Sequence, residues 1–224
     1  RYNSTRKVSM TTITSPRLLT KPGEIRDACR RFDIDCDSWE GSYYDMARLE
    51  KTLAEDYAEL KETADSLVLH VHNATVFVQF LGHGPSGTDL ELRERLQMSL
   101  LSPKILPRKF RGIAETRHRG EDPMIAAKRA LEEEPGYSEP GFKDSWNYYL
   151  YYIRPTVLEK PSSEKWHGLP VCYHKEIFGC EINSRIYVEH GYYEVQSNGK
   201  GPEKVTYFDW IPISLAACIE RTPP

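Results

Sequence analysis

Apolar residues along this chain follow two rhythms. Met46, Leu49, Leu53, Tyr57 and Leu60 recur at spacings of three and four, which predicts one long helix over 43–63 with a single apolar stripe. A shorter helix is predicted over 24–32, after the Pro22-Gly23 turn. Residues 66–81, SLVLHVHNATVFVQFL, are strand-like throughout, and Asn73-Ala74 predicts a bend into two strands. A loop over Gly82 to Gly87 leads to a predicted helix over 89–100, and Pro103 and Pro107 break the segment beyond it. Residues 124–134 predict a strong helix closed by Pro135-Gly136. The aromatic run over 145–153, SWNYYLYYI, predicts a strand, and 160–170 a loop. Further strands are predicted near 171–178, 185–196 and 204–210, with a Ser197-Asn198-Gly199 turn between the last two and a closing helix over 212–220. Helices and strands in this order predict an α+β or mixed-sheet sandwich architecture.

The segment ETRHRGEDPMIAAKRALEEEPGY, residues 115–137, carries the chemistry. Seven residues separate Glu121 from Arg129, and Leu131, Glu133, Glu134, Gly136 and Tyr137 follow in fixed register. This pattern resembles the signature of the Nudix superfamily. The resemblance implies a Nudix-like α/β/α sandwich with a mixed sheet, reached over residues 65–224, preceded by a basic extended arm over 1–23 and a helical extension over 24–64. It implies catalytic roles for Glu121, Arg129, Glu133 and Glu134, with Mg2+ or Mn2+ held by Glu133 and Glu134 and by a distal acid, Glu203. A hard cation takes oxygen ligands, neutralises a diphosphate and polarises an attacking water. On a helix, positions 130, 133, 134 and 137 share one face. Glu121 is placed one loop upstream to pair with Arg129, pinning loop to helix.

The departures matter as much. Ala130 stands where the signature has an acid, and Glu115 where it has glycine. Glu132 points about 100° away from Glu133 and does not replace the missing group. Some family members with decayed boxes serve in RNA processing or in mitochondrial ribosomes. The first functional expectation is therefore a non-catalytic RNA- or nucleotide-binding or scaffold subunit of an organellar ribonucleoprotein, docking partner subunits through the helix at 43–63. The second is an active Mg-dependent hydrolase of a nucleoside diphosphate linkage or an RNA 5′ end. A small-molecule module using the same cleft is the third.

Composition narrows these readings. The formal net charge of −3 excludes a uniformly basic nucleic-acid binder. Charge is uneven, however. Residues 1–23 hold Arg1, Arg6, Lys7, Arg17 and Lys21 and no acid, which fits a transit-segment remnant and a mitochondrial matrix location, an arm reaching for RNA, or a solvated terminus in a cytoplasmic protein. Lys104, Arg108, Lys109, Arg111, Arg117, His118 and Arg119 form a basic stretch ahead of the box, with Arg117 and Arg119 the candidate phosphate binders. No run of about eighteen apolar residues appears. The five cysteines match no zinc spacing and read as reduced thiols. His70 and His72 share one side of a strand, and no third ligand falls at an obvious spacing. The aromatics Trp146, Tyr148, Tyr149, Tyr151 and Tyr152 fit either base stacking or strand packing.

Overall fold

The computed structural model describes residues 15–82, 87–100, 105–197 and 202–214, apart from the side chains of 108–111 and 202. Three α-helices and ten strands lie among them. Helix α1 spans Pro22–Arg31, α2 Met46–Ala54 and α3 Pro123–Glu133. The strands are β1 Arg17–Leu19, β2 Ala58–Glu62, β3 Leu67–Phe80, β4 Leu90–Ser99, β5 Ile105–Arg111 and β6 Ile113–Thr116. They continue with β7 Tyr148–Lys160, β8 Val171–Ile182, β9 Tyr192–Ser197 and β10 Pro202–Pro212. The contacts form two compact units, one of residues 1–70 and 159–172, the other of 71–158 and 173–224. No helix of the described residues is long and apolar enough to cross a membrane.

In the first unit, α1 carries Pro at its first turn and buries Ile25, Ala28 and Cys29. The predicted helix over 43–63 is corrected. Asp45 caps α2, accepting a hydrogen bond from the Arg48 N–H at 2.8 Å, and Met46, Leu49 and Leu53 face inward. The helix stops at Ala54 because Asp56 adopts φ 59°, in the left-handed region. The chain then enters β2, where Ala58 and Leu60 are buried and the register with β1 is antiparallel, Leu19 opposite Leu60. The stripe read as one helical face is thus divided between a helix and a strand. Its helical part packs inward rather than forming an exposed docking face.

In the second unit, β3 runs unbroken, so the expected bend at Asn73-Ala74 is absent; these residues pair instead with Thr116 and Glu115 of β6. Residues 90–99 form a strand and not the predicted helix. Leu, Glu and Arg favour helices locally, but β4 pairs antiparallel with β10 along its length and with β3 at its start, and that pairing overrides propensity. Its alternation places Leu90 and Leu92 in the core, while buried Glu91 and Arg93 form an ion pair and the Arg93 guanidinium stacks 4.6 Å from the Phe77 ring centroid. β9 pairs antiparallel with β10, and β5 with β4. The strand pairings whose register is described are antiparallel, so the parallel pairs of a mixed sheet are not among them.

Helix α3 begins as its sequence dictates. Asp122 accepts a hydrogen bond from the Met124 N–H at 2.8 Å, and Pro123 opens the first turn. The small residues Ala126, Ala127 and Ala130, with Leu131, let it approach a core of Val76, Val78, Leu92, Ile113, Phe142, Phe178 and Phe208. The predicted strand at 145–153 begins at Tyr148 and extends to Lys160. β8 runs on to Ile182, and β9 begins only at Tyr192. The closing helix over 212–220 lies mostly outside the described residues, as do residues 1–14 of the basic arm. Cys29, Cys36, Cys172 and Cys180 are buried thiols outside any disulfide, and burial pushes the Cys29 thiol up to about 12; Cys218 lies outside the described residues.

Candidate functional site

The box occupies β6, the loop 117–122 and α3. Arg129, on the second turn of the helix, projects back over the loop. One guanidinium nitrogen, Nη1, donates to Glu115 Oε1 at 2.8 Å; the other, Nη2, donates to Glu121 Oε2 at 3.0 Å and to the Thr116 carbonyl at 3.1 Å. Glu121 also accepts from the His118 N–H at 2.9 Å. One planar cation therefore ties strand, loop and helix together, the geometry that suits arginine. The sequence pointed to the Glu121–Arg129 pair. The Glu115 arm was missed, because a residue seen only as a lost glycine gave no sign of pairing with Arg129.

Electrostatics follow from this packing. Burial works to raise the Glu121 carboxyl, but the His118 N–H and the Arg129 guanidinium outweigh it and hold that carboxyl below its ordinary value. Burial also opposes the Arg129 charge, yet Glu115 and Glu121 overcome it and raise the guanidinium further. Glu133 moves the other way. Desolvation and then the Glu115 charge raise it, with Arg129 partly opposing.

Glu134 stands apart. Helix α3 ends at Glu133, and Glu134 leaves the helical path at φ −84°, ψ −82°. Its N–H still donates to the Ala130 carbonyl at 3.1 Å, so the turn of the chain comes after it. Ala130 has no exposed surface and belongs to the core, Glu133 is exposed, and the enclosed Glu134 carboxyl feels the charges of Glu194 of β9 and Glu94 of β4. Desolvation, then Glu194, Glu94 and Glu115, push Glu134 well above the usual carboxylate range, against Lys204. Glu194, itself buried, is raised by desolvation and by Glu94 and Glu115, while its bond from Gln196 and the Lys204 charge oppose this. Glu94 and Glu194 were not read from the sequence, since only cross-strand register brings residues of β4 and β9 near the end of α3. Glu203, expected as a distal acid, is not among the groups that most influence Glu134; its carbonyl accepts the Leu100 N–H at 2.8 Å.

For the divalent cation that the resemblance implies, position 130 offers no ligand, and Glu115, whose charge raises both Glu133 and Glu134, is engaged by Arg129. Among the described residues, no three carboxylates bring their oxygens within 4.8 Å of one another.

The raised Glu134 gives a pH prediction. A carboxyl raised in the folded state contributes stability that is fully present below its ordinary value of 4.5 and is lost as pH rises through the folded value. Glu134→Gln is therefore expected to be more stable than the parent at neutral pH, with the advantage vanishing in acid. Thermal melts across that range test this; a glutamine variant less stable at neutral pH would contradict it.

The basic stretch is divided. Arg117 is half-buried, with Nη1 3.9 Å from Glu176 Oε1, and Arg119 is exposed. Lys104 and the side chains of Arg108, Lys109 and Arg111 lie outside the described residues. His72 stacks on His174 with ring centroids 4.6 Å apart. Of the aromatic run, Trp146, Tyr149 and Tyr152 are exposed, and Tyr149 stacks on Tyr151.

No protein-family model matches the chain, and no curated protein matches it. Several solved structures are similar to it. An Ap4A hydrolase from C. elegans is 14% identical, with 67% of this chain and 86% of that one covered and a TM-score of 0.34. RenU, a Nudix hydrolase from M. smegmatis, is 14% identical, covering 66% and 74% at a TM-score of 0.34. A mutT/nudix family protein from Listeria innocua is 15% identical, covering 65% and 80% at 0.32. Likeness of this size says nothing about activity, substrate or metal.

Proposed function

We propose that the second unit is a Nudix-like domain whose box serves as a structural clamp, in a non-catalytic nucleotide- or RNA-binding or scaffold subunit. The observation that carries this reading is the fate of the two departing positions. Ala130 is packed into the core, and Glu115, which stands in place of glycine, holds Arg129. Both turn the box toward cohesion of strand, loop and helix. Exposed Arg119 beside the loop supplies a positive group for a phosphate. Membership of an organellar ribonucleoprotein, such as a mitochondrial ribosome, rests on the basic residues 1–23 and on the resemblance, and co-purification with such a particle tests it.

One observation favours the second reading, an active Mg-dependent hydrolase: the charges of Glu194 and Glu94 raise the Glu134 carboxyl, and that of Glu94 also raises Glu194, an arrangement a divalent cation would relieve. The deciding assay is phosphate release from nucleoside diphosphate derivatives and triphosphorylated RNA with Mg2+ or Mn2+. No turnover is expected. Turnover that disappears in Glu134→Gln would replace the first reading with the second.

A further inference from the structure

The first unit contains a cavity that the box does not touch. Its volume is about 720 Å³, within the span of small-molecule sites. Val68, Val171 and the prolines Pro161 and Pro170 form an apolar lining. Set into that lining are the side chains of Lys61, Lys160 and His70, with Glu159 and the thiol of Cys172. A ring nitrogen of His70 lies within 4.8 Å of Cys172 Sγ. Burial, then the charge of Glu159, raises the Cys172 thiol, and Lys61 opposes this. Lys61 Nζ meets Glu59 at 2.7 Å and Lys160 Nζ meets Glu164 at 2.6 Å, and neither of those carboxylates lines the cavity. Each ammonium has three N–H donors, so the carboxylate that it already meets is compatible with a second acceptor. The two lysines outnumber the single lining acid, Glu159.

We propose that this cavity binds an amphipathic anion, a ligand with an apolar body against Val68 and Val171 and one carboxylate or phosphate head between Lys61 and Lys160. The lysine stems lie along apolar wall while their ammonium groups reach the head, the division of labour that long basic side chains allow. Burial of the apolar body supplies affinity, and the paired cations supply the preference for an anion.

The test uses the full chain and three probes by calorimetry: decanoate, decyl phosphate and neutral decanol. Both anions are expected to bind about tenfold or more tighter than decanol, and the tighter of the two identifies the head group. Lys61→Met with Lys160→Met is expected to remove that preference while leaving decanol binding unchanged. His70 reports the location, because a ligand in the cavity should shift its ring proton resonances, read by NMR. Val68→Trp should abolish binding by filling the space; if that variant fails to fold, the lysine pair and the His70 resonances still decide. Equal affinity for decanol and the anions, an anion preference that survives loss of both lysines, or His70 resonances unmoved by decanoate would each overturn the proposal.

Discussion

Replacing Ala130 with glutamate, the residue type that the resembled signature carries there, is expected to destabilise the second unit by on the order of 4 kcal/mol and to confer no hydrolase activity. Ala130 has no exposed surface and shares a core with Ala126, Ala127, Leu131 and Phe142. A glutamate there overfills a packed layer, at about 1–3 kcal/mol, and buries a carboxylate among apolar side chains. Ala130→Gly separates helix propensity from burial, since it costs only about 1 kcal/mol. Urea unfolding measures both, together with phosphate release in Mg2+. A stable Ala130→Glu protein that gains metal-dependent turnover would show that position 130 faces the cleft and would remove the main support for the non-catalytic reading.

Arg129→Met is the second large effect, with an expected loss of about 3 kcal/mol. The guanidinium satisfies Glu115, Glu121 and the Thr116 carbonyl at once, and the side chains of Glu115 and Glu121 are only 21% and 14% exposed. Without the cation, two neighbouring carboxylates remain half-buried and unneutralised. Adding Glu115→Gln and Glu121→Gln to Arg129→Met should recover much of the loss, and the cycle isolates the coupling from side-chain packing. The sign of the pH dependence is set by Glu121. Its folded pKa is lowered, so its stabilisation is present above the ordinary value of 4.5 and is lost as pH falls through the folded value. The gap between parent and Arg129→Met should therefore close in acid. A loss below about 1 kcal/mol at neutral pH would mean that the three-way clamp contributes no more than an exposed ion pair.

Arg129 and Ala130 are neighbours on one helix, and they divide the box into what local chemistry shows and what packing adds. The Arg129–Glu121 pair is what the resemblance implies, and the capped helix start between the two residues brings the groups onto one side. The Glu115 arm needs β6 to lie beside that helix. Which acids surround Glu134 depends on β4, β9 and the turn out of α3, elements far apart in the chain.

Local sequence was enough to expect a helix over 124–134 with its Pro135 stop, found at 123–133, because capping and proline act within a few residues. It was also enough for the strand character of 67–80, through β-branched residues. Long-range packing was needed to make 90–99 a strand, to break the stripe from Met46 to Leu60 into helix and strand, and to turn Ala130 to the core rather than to a cation. In each of these cases local propensity was ambivalent, and pairing with β3 and β10, the left-handed turn at Asp56 and the packing of α3 supplied the deciding free energy.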